Sequence, residues 1–156
     1  MFFVLIFMPR SRFFYYMVVS GLKNAISLQL KLIYAEPRPY HLDSGIEPFK
    51  CKATFGNPSG HAVAASVAAI VIFLDIYHGT PVTYKYGEDS IYHGWCSYLM
   101  SFLLAVYWFF SIPYSRYLGG VHSLDQVVYG SMLGAGLALF CHFMIRDNLI
   151  WFFERV

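Results

Sequence analysis

The chain has 156 residues, of which 58% are hydrophobic, 20% aromatic and only 13% charged, and its mean hydropathy is +0.50. Soluble globular domains carry roughly 25% charged residues, so this composition excludes an ordinary soluble protein and indicates one membrane domain over residues 1–156. The net charge of +2 is dispersed without a run of Lys or Arg, which argues against a nucleic-acid partner.

Four apolar stretches are long enough to cross a bilayer as α-helices, since a span needs about 20 residues. They run from Phe13 to about Tyr34, from about Ser59 to Tyr77, from Trp95 to Ile112 and from about Leu124 to Phe143. Pro113 is expected to end the third, because proline cannot continue a helix. Phe2–Met8 is apolar but too short to span. The predicted fold is therefore all-α: an integral membrane helical bundle of four transmembrane helices plus a short N-terminal apolar segment.

Polar residues gather in three short islands at the ends of these spans. The islands are Lys31-x6-Arg38-Pro39, Pro58-Ser59-Gly60-His61 and Ser115-Arg116-x5-His122. Because the chain crosses the membrane between successive connections, the predicted topology places all three islands on one face. A chemical site could therefore assemble there, at the surface of the bilayer.

The side chains of the islands suit a phosphoryl group. Ser59 is a favoured N-cap, and the free amides of a helix start, with Gly60 allowing close approach, form an anion site. Arginine offers a planar fork for phosphate oxygens and lysine adds a point charge. His122 could act as a nucleophile, with the cation of Arg116 stabilising the anionic group under attack.

Each island also has a plain structural interpretation. The second could be an ordinary capped helix start, and the cations of the first could be snorkelling side chains at the membrane interface. His122 could be a buried, satisfied histidine. The three cysteines show neither metal-ligand spacing nor a disulfide framework. Only the combination of the islands, in this order and on one face, favours a catalytic site.

The distribution of basic residues bears on orientation. Apart from the island cations, the topology puts five basic residues on the Arg10 side of the membrane and two on the island side. The five are Arg10, Arg12, Lys85, Arg146 and Arg155, and the two are Lys50 and Lys52. Cytoplasmic loops carry an excess of Lys and Arg, so the islands are expected on the lumenal or extracellular face.

Together the islands resemble the three-part signature of the type-2 phosphatidic acid phosphatase superfamily, which includes lipid phosphatases, glucose-6-phosphatase and the vanadium haloperoxidases. The resemblance covers Lys31 to about Val127 (signature region 31–127). It implies a membrane phosphatase that acts through a phosphohistidine on His122, with His61 as general acid and base. It also implies that Lys31, Arg38, Ser59, Gly60 and Arg116 hold the phosphoryl oxygens, and that no metal or other cofactor is needed.

Two features depart from the family pattern. The third motif usually has an aspartate four residues after the nucleophilic histidine, where it orients the ring and stabilises its positive charge. Here that position is Gln126, and Asp125 lies one residue early. Either residue could assist His122, and glucose-6-phosphatase also has a glutamine at this spacing. The membrane members typically have six core helices, so this chain is expected to be a fragment or a reduced member that lacks helices before the first motif.

The resemblance leaves three functions open. The first is hydrolysis of a lipid phosphate monoester such as phosphatidic acid, with the bilayer and the phosphorylated lipid as partners. The second is a glucose-6-phosphatase-like activity on a sugar phosphate, which Gln126 and Arg38-Pro39-Tyr40 favour. The third is a catalytically silent membrane protein that binds phospholipid or a partner helix.

Overall fold

A computed structural model of the chain describes residues 10–78 and 95–155. The elements in order are α1 (Arg10–Tyr34), α2 (Pro39–Leu42), α3 (Gly60–His78), α4 (Trp95–Leu118), α5 (Leu124–Phe140), a π-helical turn (Cys141–Ile145) and α6 (Arg146–Arg155). No strand occurs within these ranges, and the predicted all-α membrane bundle is confirmed. Phe2–Met8 and Lys85, which entered the sequence-based predictions, lie outside the described residues.

Within residues 10–78 and 95–155, three helical stretches are long and apolar enough to cross a membrane. They are Gly60–His78, Tyr98–Leu118 and the continuous stretch Leu124–Arg155. α1 has 25 residues but is not among them; it carries Lys23 and Lys31 between its apolar positions. The crossing of the bilayer by α1, from Phe13 to Tyr34, therefore stays a prediction.

The expected end of the third span at Ile112 is wrong, because α4 continues through Pro113 to Leu118. Proline removes one helical hydrogen bond, but membrane helices tolerate it where neighbouring groups satisfy the backbone. The carbonyl that loses its amide donor to Pro113 is that of Phe109, four residues earlier. The Ser115 hydroxyl donates to the Ile112 carbonyl at 2.7 Å in the turn after the proline. As a result, Ser115 and Arg116 lie in the last turns of α4 instead of in a loop.

The fourth span also extends further than Phe143, where the sequence predicts its end. A π-helical turn at Cys141–Ile145 follows α5, and α6 continues to Arg155. The turn inserts an extra residue per turn without ending the helix, so helical hydrogen bonding persists.

α3 lies at the centre of the bundle and packs against α4 and α5. In its apolar window 44% of the residues are buried, against 6% in that of α4, so α4 exposes an apolar face such as lipid would cover. Contact between α3 and α5 depends on small residues: a Cβ on Gly130 would lie 2.9 Å from the Ser59 carbonyl, and one on Gly134 would lie 2.6 Å from the Val63 carbonyl. This close approach brings the second and third islands together.

A buried ion pair joins the helices at the opposite end of α3. Asp75, 1% exposed, accepts from Arg146 Nε at 2.8 Å and Nη2 at 2.7 Å, and from the Tyr16 hydroxyl at 2.8 Å. It therefore ties α1 and α6 to α3 and fixes the bundle from which the islands project.

Candidate active site

The first island folds around a buried arginine. α1 ends at Tyr34, and Ala35, with a φ of 44°, turns the chain towards Arg38, whose side chain is only 1% exposed. Its Nε donates to the Thr54 carbonyl at 2.7 Å, and Nη2 donates to Thr54 Oγ1 at 3.0 Å and the Phe55 carbonyl at 3.4 Å. The guanidinium thereby holds the loop that leads to the second island.

The remaining nitrogen of Arg38 faces the third island. Nη1 donates to the Val121 carbonyl at 3.0 Å and lies 3.1 Å from Nε2 of His122. All five N–H groups of this guanidinium therefore have acceptors within the protein. An incoming phosphoryl group would have to replace the contact with His122.

The hydrogen bonds of Gln126 set the tautomer of His122. Gln126 Nε2 lies 3.0 Å from both Glu36 Oε1 and the Pro37 carbonyl, which are acceptors, so it is the NH₂ group. Its Oε1 then lies 3.2 Å from Nδ1 of His122. Because a carboxamide oxygen can only accept, Nδ1 carries the proton and Nε2 keeps its lone pair.

His122 is 3% exposed, and its surroundings keep the ring neutral. Burial and the cation of Arg38 are the principal causes that lower its pKa to about 4, against the opposing effect of the hydrogen bond that Nδ1 donates to Gln126 Oε1. A neutral imidazole with an unprotonated Nε2 is the form that can attack an electrophile once the contact with Arg38 opens.

The other island residues lie at the same end of the bundle as this histidine. Lys31 Nζ donates to the Phe55 carbonyl at 2.8 Å, and a Cβ on Gly60 would be 3.8 Å from Lys31 Cε. His61 is exposed at the start of α3, within electrostatic range of four cations: Arg116, Lys52, Arg38 and Lys31. Ser59 Oγ and Arg116 Nε are buried with no hydrogen-bond partner among the described residues. Buried polar atoms are normally paired, so these two are suited to bind an anion.

Of the two residues that could assist His122, Gln126 and Asp125, only Gln126 contacts it in the structure. Gln126 is 1% exposed and contacts the ring, whereas Asp125 is exposed on the outer face of α5. Consecutive helical residues differ in direction by about 100°, which accounts for the difference.

Sequence reasoning missed four residues of this site: Glu36, Thr54, Gly56 and Asn57. Glu36 contacts Gln126 and Asn57, and Gly56 leaves room for the Gln126 amide, since a Cβ there would be 2.5 Å from Oε1. The available signal was that this chain has Gln126 where the family pattern has an aspartate. A buried amide nitrogen needs hydrogen-bond acceptors nearby, whereas a carboxylate does not, so the glutamine implied acceptors such as Glu36. Within residues 10–78 and 95–155, no three His, Cys, Asp or Glu side chains converge as a metal site requires.

The fold and site define a helical membrane protein in which two histidines and several cations converge at one end of the bundle. Comparison with family models places this chain within a known group: it belongs to the PAP2 superfamily, whose model matches residues 12–150. Comparison with curated proteins finds no match.

Among solved structures, the chain is similar to the first transmembrane PAP2 type phosphatidylglycerolphosphate phosphatase from Bacillus subtilis. The identity is 22% and the TM-score 0.61, over 90% of this chain and 58% of that one. The likeness therefore concerns the fold, and this chain spans 58% of the length of that protein.

Proposed function

We propose that this protein is a membrane-embedded phosphatase that hydrolyses a lipid phosphate monoester through a phosphohistidine on His122. The observation that carries the proposal is the placement of His122: the ring is buried, Nδ1 faces Oε1 of Gln126 and Nε2 faces Nη1 of Arg38, which assigns the proton to Nδ1. Membership of the PAP2 superfamily supports it.

In the first step, the Nε2 lone pair attacks phosphorus and the phosphorus–oxygen ester bond breaks. The departing alcohol oxygen takes the electron pair of that bond and a proton from His61, which acts as general acid. A phosphohistidine forms, with the Nδ1 proton still in place. Lys31, Arg38 and Arg116, with the Ser59 hydroxyl and the Gly60 amide, stabilise the phosphoryl oxygens.

In the second step, water attacks the phosphohistidine. His61, now neutral, accepts a proton from the water as the new phosphorus–oxygen bond forms. The phosphorus–nitrogen bond breaks and its electron pair returns to Nε2, which releases inorganic phosphate. The bonds and protons of the two steps balance without a metal ion.

A groove favours a lipid substrate over a sugar phosphate. Ala68, Ile72 and Ile76 of α3, with Leu104 and Trp108 of α4, line an apolar groove. Ala68 and Ile72 follow His61 by seven and eleven residues, about two and three helical turns, so they share its face. A lipid with its acyl chain in this groove would place its phosphate headgroup at His61.

The glutamine at position 126 favours the alternative, a glucose-6-phosphatase-like sugar phosphatase.

The site is proposed on the lumenal or extracellular face, because basic residues outside the islands favour the Arg10 side as cytoplasmic.

A catalytically silent, lipid-binding protein is the remaining alternative. The exposed His61 counts against it, since binding an anion alone requires no general acid.

Phosphate release by the detergent-solubilised protein tests the proposal. The panel comprises phosphatidic acid, sphingosine-1-phosphate, an isoprenoid diphosphate and glucose-6-phosphate, each with and without EDTA. We expect release from a lipid monoester, unchanged by EDTA and abolished in His122→Ala, with exposed His41→Ala as the matched control. Preference for glucose-6-phosphate would favour the sugar phosphatase, and no release from any substrate would favour the silent protein.

A further inference from the structure

Glu36 lies one hydrogen bond behind Gln126. Its Oε1 accepts from Gln126 Nε2 at 3.0 Å and its Oε2 accepts from Asn57 Nδ2 at 2.7 Å. Both oxygens act as acceptors, as those of an ionised carboxylate do. The backbone carbonyl of Glu36 also accepts from the Gly56 amide at 2.8 Å. The carboxylate is thus held in place between the loop before α3 and the buried side chain of Gln126.

An amide can present either its oxygen or its nitrogen to a neighbour, and only its partners decide which. With Oε1 towards Nδ1, His122 is protonated there and the Nε2 lone pair faces the Arg38 donor; with the amide reversed, the NH₂ group would donate to Nδ1 and force the proton onto Nε2, against the N–H of Arg38. Glu36 Oε1 and the Pro37 carbonyl both require the NH₂ group on their side. The reversed arrangement would place the amide oxygen against two acceptors.

We propose that Glu36 is a positioning residue that acts on His122 through Gln126. Glu36 and Gln126 together would then take the place of the single aspartate in the family pattern. Its catalytic consequence rests on the proposed function. When Nε2 bonds phosphorus, the ring gains positive charge while Nδ1–H continues to donate to Gln126. The carboxylate polarises the intervening amide, because hydrogen bonds in a chain strengthen one another at low dielectric.

The first test is Glu36→Gln, which keeps the shape and removes the charge. Gln126 and Asn57 both donate to Glu36. A glutamine at position 36 has only one oxygen, so it can accept from one of these donors while its NH₂ group faces the NH₂ group of the other. We expect kcat to fall about 10- to 100-fold, by analogy with the residues that orient metal-ligating histidines through a hydrogen bond. KM should change less than about threefold, because Glu36 has no contact with substrate in the proposed site. Glu154→Gln, an exposed carboxylate on α6, is the matched control.

A reciprocal exchange separates positioning from general damage. In Glu36→Gln combined with Gln126→Glu, the carboxylate moves next to Nδ1 of His122 and the amide moves behind it. We expect the double variant to be at least about tenfold more active than either single variant, since coupled neighbours are non-additive. Recovery is partial because the Pro37 carbonyl loses its donor.

The ¹⁵N spectrum of the histidine rings, recorded on selectively labelled protein in detergent without substrate, provides a readout independent of activity. Wild type should show His122 protonated at Nδ1, and Glu36→Gln should show a mixture of tautomers. An unchanged tautomer in Glu36→Gln overturns the inference, whatever the loss of activity. Failure of wild type to hydrolyse any substrate would refute the proposed function, while the tautomer comparison would still decide the role of Glu36.

Discussion

The Nη1 atom of Arg38 lies 3.1 Å from the Nε2 atom of His122, although the two residues are 84 positions apart in the chain. A guanidinium can only donate, so Arg38 binds the same lone pair that the proposed mechanism directs at phosphorus. A phosphoryl group that enters between them would accept from Arg38 and face Nε2 at the same time. Opening of this contact would therefore present the Arg38 donor and the His122 lone pair to the same phosphoryl group.

Arg38→Lys tests this relationship. Lysine keeps the charge but cannot reach the Thr54 and Val121 carbonyls together with His122. We expect kcat/KM to fall about 100- to 1,000-fold, as when one donor to a developing anion is removed. The measurement is phosphate release at saturating and limiting substrate. A lysine variant with wild-type kinetics would show that the fork geometry is unimportant.

Gly56→Ala should impair the site with little effect on the fold. A Cβ at this position would lie 2.5 Å from Oε1 of Gln126, so the amide must leave His122. We expect activity to fall about 10- to 100-fold, in the range found for supporting residues. The thermal unfolding temperature should change little, because the clash involves the end of a side chain. Gly21→Ala, with no atom within 4 Å of the added Cβ, is the control and should behave as wild type.

The buried, neutral state of His122 predicts a loss of stability in acid. Its pKa of about 4 in the folded protein lies below the value of about 6.5 for an unfolded chain. Between these values the unfolded state binds more protons, so the free energy of unfolding falls as the pH drops from 6.5 to 4. Unfolding at pH 7 and pH 5 should show a larger loss for wild type than for His122→Gln. Equal losses would contradict the assignment.

Gly134→Ala should destabilise the bundle by about 1–3 kcal/mol, as overpacking of a close contact does. The new Cβ would lie 2.6 Å from the Val63 carbonyl, so α3 and α5 must separate. Gly136, two residues along the same helix, has nothing within 4 Å of an added Cβ, and Gly136→Ala should be neutral or slightly stabilising. Denaturation in mixed detergent micelles compares the two. Equal stability of both variants would argue against close α3–α5 contact.

Asp75→Ala should destabilise the protein without altering the chemistry of the site. The substitution leaves the buried Arg146 without its 2.7 Å partner, and breaking a buried pair in this way costs about 3–5 kcal/mol. Because Asp75 lies at the opposite end of α3 from His61, KM should stay within about twofold where the protein is folded. Unfolding temperature and KM are the two measurements, and a changed KM at unchanged stability would place Asp75 in the substrate path.

The sequence alone determined the helical membrane class and most of the candidate site residues. Composition and apolar length decide the class, because a segment without charges must find an apolar solvent. The islands stood out because polar side chains are costly within such segments. The ends of the helices were less predictable: Pro113 lies inside α4, and the helical stretch that begins with α5 continues past Phe143 through a π-helical turn into α6.

Only the tertiary structure decided which groups contact His122. Gln126 or Asp125 could serve on sequence grounds, and the side that α5 turns towards Glu36 selects Gln126. Glu36 itself was invisible as a site residue, because its partner is 90 positions away. Periodicity and composition record the environment of each residue along its own helix, whereas the hydrogen bonds that set a tautomer depend on how separate helices pack.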